Sequence, residues 1–367
     1  MDRIAFIIGE SFIFWSPIIL ALAALAASCL FIGFYLSRSC NGIGTFMAVP
    51  LAFVFSMVLA RLIHWYCRTD SYVSFDAAMT DYTSGGYALL GVVAGCILAA
   101  CLLRLIQVVK NLPEMLDCMA LAGAAGICIG RCNSFFNSTD RGDILENITQ
   151  LPLVYPVTNS VTGDVENRLA TFVLQSAYAG VVFAILLLFW LLMKRKGKSG
   201  DTALLFALLY GASQAVFDST RYDSLYLRSN GFVSLVQIAG AIGVVLAVVW
   251  FSVRMCKSRR WHWGYLALWV PILALLGGAG YMEYHVQRHG DQALFAYTIM
   301  SGCLIGVILL GIVIYVLAVT GECRNAKRAA MEAQLLAQAV EAPQEETPAE
   351  EAKEEVKEEI AEEVATQ

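Results

Sequence analysis

Seven stretches of this chain run for at least 22 residues without a single Asp, Glu, Lys or Arg: 11–37, 39–60, 82–103, 169–193, 229–253, 261–282 and 292–321. A helix rises about 1.5 Å per residue and the hydrocarbon core of a bilayer is about 30 Å thick, so each stretch is long enough to cross it. Two more charge-free windows, 118–130 and 202–217, have only 13 and 16 residues. With 58% hydrophobic and 15% charged residues, the chain lies far from the composition of a water-soluble globule. The 11 cysteines are scattered without a CxxC pair, which argues against a disulfide framework, and no basic stripe with interleaved aromatics supports nucleic-acid binding.

Counting all nine segments gives connecting loops whose charge can be compared. With the N-terminus outside, the inner segments carry 14 basic residues and the outer ones nine. The densest clusters, Lys194–Lys198 and Arg254–Arg260, both fall inside, as membrane topology requires. The reading is an all-α polytopic membrane bundle of nine transmembrane helices, N-out and C-in. The opening MDRIAFIIGE is short of positive charge and no small-residue cleavage site closes the first apolar run, so the first helix is expected to remain in the mature chain. Residues 1–255 read as a membrane core with a long outer loop at 132–168, residues 256–321 as two additional helices, and residues 322–367 as an acidic tail. That tail is expected to be disordered or transiently helical from about Ala329.

The two short windows point to the chemistry. Each ends at a charge, Arg131 and Asp218, that a spanning helix would carry into the membrane, where ionisable groups face a polar interior. In the nine-helix topology both charges lie in the outer half, the second helix delivers Arg61 to the same level, and Arg221 follows Asp218 by one helical turn. The expectation is one net basic pocket of Arg61, Arg131, Asp218 and Arg221. Guanidinium forks match phosphate, so its ligand would be an anionic phospholipid head group. The alternative is a structural salt bridge, such as Arg131–Asp218, that pins helices together.

The same residues carry a resemblance. Gly130-Arg131-Cys132-Asn133-Ser134-Phe135-Phe136-Asn137, followed by Gly142, resembles the G-R-x-G-N-F-x-N-x-E…G signature of the prolipoprotein diacylglyceryl transferases. Tyr210-Gly211, Asp218, Arg221 and Asp223-Ser224-Leu225 are similar to the family's Y-G-x-x-R-F-x-x-E-x-x-R-x-D-S-L. Gly85-Gly86-Tyr87-Ala88 and Ala60-Arg61 match its double-glycine segment and its Ala-Arg pair. The resemblance implies a seven-helix enzyme core in the bacterial cytoplasmic membrane. It would move the diacylglyceryl group of phosphatidylglycerol to the lipobox cysteine thiol of preprolipoproteins, without metal or organic cofactor, among membrane lipids. It assigns Arg131, Asp218 and Arg221 to catalysis, and Arg61, Gly85, Gly86, Asn137, Gly142, Tyr210 and Gln214 to the substrate site.

The chain departs from the pattern at identifiable places. Leu90 stands where the family has His or Tyr, Val92 where it has Gly, Gln214 where it has Arg, and Asp218 where it has Glu. Ungapped, Ser134 falls on the family's Asn and Thr139 on its Glu. Leu169–Gln175 replaces its H-P-x-x-L-Y-E, and Trp15-Ser16 its Trp-Tyr pair. These losses favour a second hypothesis, a non-enzymatic anionic-lipid-binding or accessory membrane protein. His64, beside Trp65 and Tyr66, reads either as an interfacial side chain or as a replacement base. His285 and His289, at i, i+4 spacing near Glu283, are too few for a zinc site. The helical glycines Gly91, Gly95, Gly123, Gly126, Gly240 and Gly243 read as close-packing positions.

Overall fold

The computed structural model describes residues 4–8, 11–39, 41–81, 86–137, 139–144, 154–158, 162–193, 197–227, 233–259, 262–289 and 293–341. Each of the nine apolar windows falls on a long helix. They are α1 (Trp15–Ser39), α2 (Gly42–Cys67), α4 (Leu89–Leu105), α5 (Leu112–Arg131), α6 (Thr171–Leu192), α7 (Asp201–Ser219), α8 (Leu235–Arg259), α9 (Leu266–Arg288) and α10 (Ala293–Glu341). A short α3 (Phe75–Thr80) follows α2. Seven helices are long and apolar enough to cross a membrane: α1, α2, α5, α6, α8, α9 and α10. The 17-residue α4 is apolar but shorter, and α7 is diluted by Asp201, Thr202, Ser213, Gln214 and Asp218.

Three expectations need correction. The fold is mostly helical but not all-α, because two antiparallel hairpins are present. One pairs β1 (Ile4–Ile8) with β2 (Ser11–Phe14), the other β3 (Val154–Thr158) with β4 (Val165–Leu169). Ser11–Phe14, read as the start of the first helix, is instead a strand, consistent with its Phe-Ile-Phe content and its partner IAFII. The tail does not become irregular at Ala329: α10 continues to Glu341. A helix that grows from a packed span avoids the cost of nucleation, and the Ala, Glu, Gln and Leu residues there propagate it well.

Large apolar side chains such as Leu22, Leu25, Phe46, Phe53, Leu188, Leu192 and Leu246 point outward, an exposed apolar surface that suits lipid and not water. Helix contacts rely on small residues, as expected where the hydrophobic effect cannot drive helices together. A Cβ placed on Gly91 of α4 would lie 2.3 Å from the Ala60 Cα of α2, and one on Gly211 of α7 only 2.7 Å from the Gly240 carbonyl oxygen of α8. Gly123 has open space and no such role.

One apolar cluster, including Leu121, Val182, Leu208, Val248, Phe251, Ile272, Met300 and Val307, runs through α5 to α10, so the last two helices share a core with those before them. A second, with Phe31, Tyr35, Ala48, Ala100, Leu103 and Met115, joins α1, α2, α4 and α5. Because the long helices alternate in direction, the bundle has two distinct polar ends. At one, Asp117 accepts hydrogen bonds from the Gly200 and Ala203 amides and so caps α7, at 2.7 and 2.8 Å. Beside it Arg254 binds both Asp201 and Glu322, Tyr315 donates to Asp201 at 3.0 Å, and Lys198 meets Glu322 at 2.6 Å. Glu322, counted by sequence as the first residue of the acidic tail, is therefore an ion-pair partner within the bundle. The functional candidates gather at the other end.

Candidate functional site

Arg131 is the last residue of α5, and Arg221 lies two residues past the end of α7. The carboxylate of Asp140 stands between them, with Oδ1 2.6 Å from Arg131 Nη1 and 2.7 Å from Arg221 Nη2. The three side chains are only 9–12% exposed. Asp140 adopts the left-handed backbone region (φ 58°), which Asp tolerates better than most residues, and this turn aims the carboxylate inward. Its amide donates to Asp223 Oδ2 at 3.0 Å and its Oδ2 accepts from Ser134 Oγ at 3.1 Å. Arg221 completes its fork with Asp223 Oδ1 at 3.0 Å and Asp218 Oδ1 at 3.3 Å.

The loops that carry these groups are zipped together. Asp143 N donates to Thr220 O, Tyr222 N donates to Arg141 O, and Gly142 forms a β-bridge with Arg221. Gly142 is needed for the close approach: a Cβ there would sit 2.7 Å from both Leu169 Cβ and Thr171 Oγ1. Asn137 binds Ser16 at the start of α1 (3.2 Å) and Asn133 (2.5 Å), and accepts from the Thr139 amide and hydroxyl, so it shapes the turn leading into Asp140. Arg141, not singled out by the sequence reading, is buried. It donates to the carbonyls of Asn137 and Ser134 and stacks on Tyr155 at 4.2 Å.

Burial opposes ionisation of Asp140, but the Arg131 and Arg221 guanidiniums more than offset it and hold the carboxyl well below the usual carboxylate range. Arg221 is likewise held in its charged form against burial by Asp140, Asp223 and Asp218. The expected surplus of positive charge is thus not what the geometry builds. Two arginines meet three carboxylates, from Asp140, Asp218 and Asp223. Charge counting along the apolar windows missed Asp140 and Asp223 because both come from loops. The motif register held the signal: where the family has Glu, position 139 is Thr, and the next residue supplies the carboxylate.

Arg61 also departs from the single pocket expected. It is buried in the last turns of α2, where its Nε donates to Ala78 O (2.5 Å), its Nη2 to Asp81 O (2.6 Å) and its Nη1 to Gly86 O (3.1 Å). The rings of Tyr72 and Tyr87 lie 4.9 and 5.3 Å from the guanidinium carbon, within cation–π range. Arg61 therefore ties together Tyr72, Ala78, Asp81, Gly86 and Tyr87 and is not one of the cations on Asp140. Gly86 (φ 80°) lies under it, whereas Gly85 falls outside the described residues. Next to this centre, His64 Nδ1 is 2.7 Å from the Tyr72 hydroxyl, and Arg68 reaches Ser224 O at 3.4 Å, linking α2 to the loop after α7.

Several buried polar atoms at this end have no hydrogen-bond partner among the described residues: Arg131 Nε, Gln214 Oε1 and both amide atoms of Gln175. The Tyr210 hydroxyl faces the Arg131 guanidinium without meeting it at hydrogen-bond geometry. An unsatisfied buried polar group costs about 1–3 kcal/mol, so such a concentration marks a place suited to the polar groups of a ligand. Among the described residues no three His, Cys, Asp or Glu side chains are grouped to hold a metal, and His285 and His289 stack on each other at 4.5 Å.

Comparison with known proteins agrees with these motifs. Residues 3–252 match the family model described as prolipoprotein diacylglyceryl transferase. A phosphatidylglycerol–prolipoprotein diacylglyceryl transferase of Clostridium kluyveri is 27% identical over 270 residues, 71% of this chain and 99% of that protein. The enzyme of the same name from Finegoldia magna is 28% identical over 264 residues, covering 70% of this chain and 99% of the relative. That from Clostridioides difficile is 24% identical over 261 residues, with 69% and 96% covered. The arginines at the ends of α5 and α7, the glycine between their loops and a match across more than half the length lead to one conclusion: the chain belongs to the prolipoprotein diacylglyceryl transferase family.

Proposed function

We propose that this protein transfers the diacylglyceryl group of phosphatidylglycerol to the lipobox cysteine thiol of preprolipoproteins, at the outer side of a bacterial cytoplasmic membrane. The observation that carries this is the convergence of Arg131 and Arg221, from the ends of two helices, on one buried anion. A phosphodiester has the charge and oxygen geometry to take over the Asp140 position between the two guanidiniums. There the arginines hold the phosphate and stabilise the charge that collects on it as the glyceryl carbon–oxygen bond breaks. Asp218 and Asp223 keep Arg221 oriented, Asn137 and Gly142 hold the loop, and Tyr210, Gln214 and Gln175 offer neutral polar groups to head-group hydroxyls. Arg61 and Gly86 form the neighbouring wall.

In this reading residues 1–255 carry the reaction, and α9, α10 and the tail are additions to it. Nine helices span the bilayer, N-out and C-in, because Arg38, Arg104, Lys198, Arg254, Lys257 and Arg259 all lie toward the end opposite the site. A second reading, a lipid-binding accessory protein without turnover, is favoured by Gln214 in place of the family's Arg and by the three carboxylates that engage Arg221.

Purified protein incubated with phosphatidylglycerol and a lipobox peptide separates the two readings by mass spectrometry. Thioether product and released glycerol-1-phosphate, both abolished by Arg131→Ala with membrane insertion intact, support the enzyme. Retained lipid without product supports the accessory role, and neither binding nor product overturns both.

A further inference from the structure

The transfer chemistry needs a group that removes the proton of the thiol, and the family position for a proton-handling side chain after the double glycine is Leu90 here. The structure brings another candidate to the same wall. The Ala88 amide donates to Ala60 O at 3.1 Å and Gly91 packs on the Ala60 backbone, so α2 and the start of α4 touch at residue 60. His64 lies one turn further along that face of α2. Its Nδ1 is 2.7 Å from Tyr72 Oη, and the two rings meet at 90°.

Gly86 closes over this pair so tightly that a Cβ would come within 2.5 Å of Tyr72 Oη and 2.7 Å of His64 Cε1. Arg61 fixes the other side of the Tyr72 ring. The charged groups that His64 faces are Arg61, Arg68 and Asp223, the last being the carboxylate that binds Arg221 and the Asp140 amide. The imidazole is half-buried and thus still open to a substrate.

We infer that His64, held by Tyr72, is the general base of the proposed transferase, taking over from the family's group at position 90; the inference rests on the function proposed above. In the neutral ring the Nδ1 proton is donated to Tyr72 Oη, which leaves the Nε2 lone pair as acceptor. Nε2 takes the proton of the lipobox thiol, and the thiolate sulfur forms a bond to the glyceryl carbon of the lipid. The bond from that carbon to the phosphate oxygen breaks, and its electron pair leaves with glycerol-1-phosphate. The proton on His64 then passes to the phosphate, so the imidazole is regenerated and the charges balance. A thiol is mostly protonated at neutral pH, so a positioned base contributes about 10²–10⁴-fold.

The test measures single-turnover thioether formation by the full-length protein in phosphatidylglycerol vesicles, with a lipobox cysteine peptide, from pH 5 to 9. His64→Gln is expected to lower the rate about 100-fold across this pH range, with phosphatidylglycerol retention unchanged. Added imidazole is expected to restore His64→Gly at least tenfold, which no structural role of the side chain explains. A His64→Gln rate within threefold of wild type overturns the assignment while leaving the transferase reading intact. So does a rate loss that imidazole cannot rescue. Wild-type protein that yields no thioether product removes both.

Discussion

Replacing Asp140 by Asn tests whether this one carboxylate organises the site. The substitution keeps the shape, the amide contact to Asp223 and the Ser134 contact, but removes the charge shared by Arg131 and Arg221. Arg221 retains Asp218 and Asp223, whereas Arg131 loses its ion-pair partner at 9% exposure, with its Nε already lacking a hydrogen bond. Removing one member of a buried pair costs about 3–5 kcal/mol. Because only one of the two guanidiniums is stranded, the lower figure, about 3 kcal/mol, is expected, which for a large chain lowers the melting temperature on the order of 5 °C.

The assay is thermal unfolding in a phosphatidylglycerol-free detergent, followed by tryptophan fluorescence. Glu166→Gln serves as control, since the Arg168–Glu166 pair is more exposed, at 18% each, and is expected to contribute under about 1 kcal/mol. The sign of the pH effect follows from the direction of the Asp140 shift. Its folded-state pKa is depressed, so its stabilisation is fully present above about pH 4, the ordinary Asp value, and is lost only as pH falls further. The difference between wild type and Asp140→Asn should therefore be constant from pH 7 to 5 and shrink below pH 4. A variant that melts within 1 °C of wild type, or a difference that already disappears at pH 6, would refute the argument.

Two further outcomes are expected. Arg254→Ala removes the one cation shared by Asp201 and Glu322 and leaves Asp201 with Tyr315 and the Lys198 amide and Glu322 with the more exposed Lys198, so it should destabilise the protein by about 3 kcal/mol and expose the end of α10 to limited proteolysis; the double variant with Glu322→Gln should cost less than the sum of the two single changes. Gly91→Val drives a branched side chain into the α2 backbone at Ala60, so it should abolish accumulation of folded protein, measured as the monodisperse fraction on size exclusion, whereas Gly123→Val, at a position with open space, should be tolerated.

Much of the site was legible because its residues stand in local motifs. Arg131, Asp218 and Arg221 come to the same end of the bundle, as their places at or just past the ends of two interrupted apolar windows implied, whereas Asn137, Gly142 and Tyr210 were picked out by the family resemblance. The partner assignments were not legible. Asp218 touches Arg221 but the counterion of Arg131 is Asp140, and Arg61 stands in a separate centre built on carbonyls and aromatic rings. Ion pairing depends on where a loop turns, and the left-handed residue at position 140 leaves only a faint trace in sequence. The hairpins likewise depend on which segments pair, and the continuation of α10 on its growth out of a packed span.

The sequence by itself determined where the long apolar helices of the described residues lie, which residues interrupt them and which cations stand at their ends. Hydrophobicity and charge act residue by residue, and a bilayer-sized run without charge has few structural alternatives. The tertiary structure alone decided which carboxylate neutralises which guanidinium, that Glu322 belongs to the bundle, and that His64 meets Tyr72. Those contacts join residues far apart in the chain, and electrostatic and hydrogen-bond energies fall off over a few ångströms that only the packed helices and loops define.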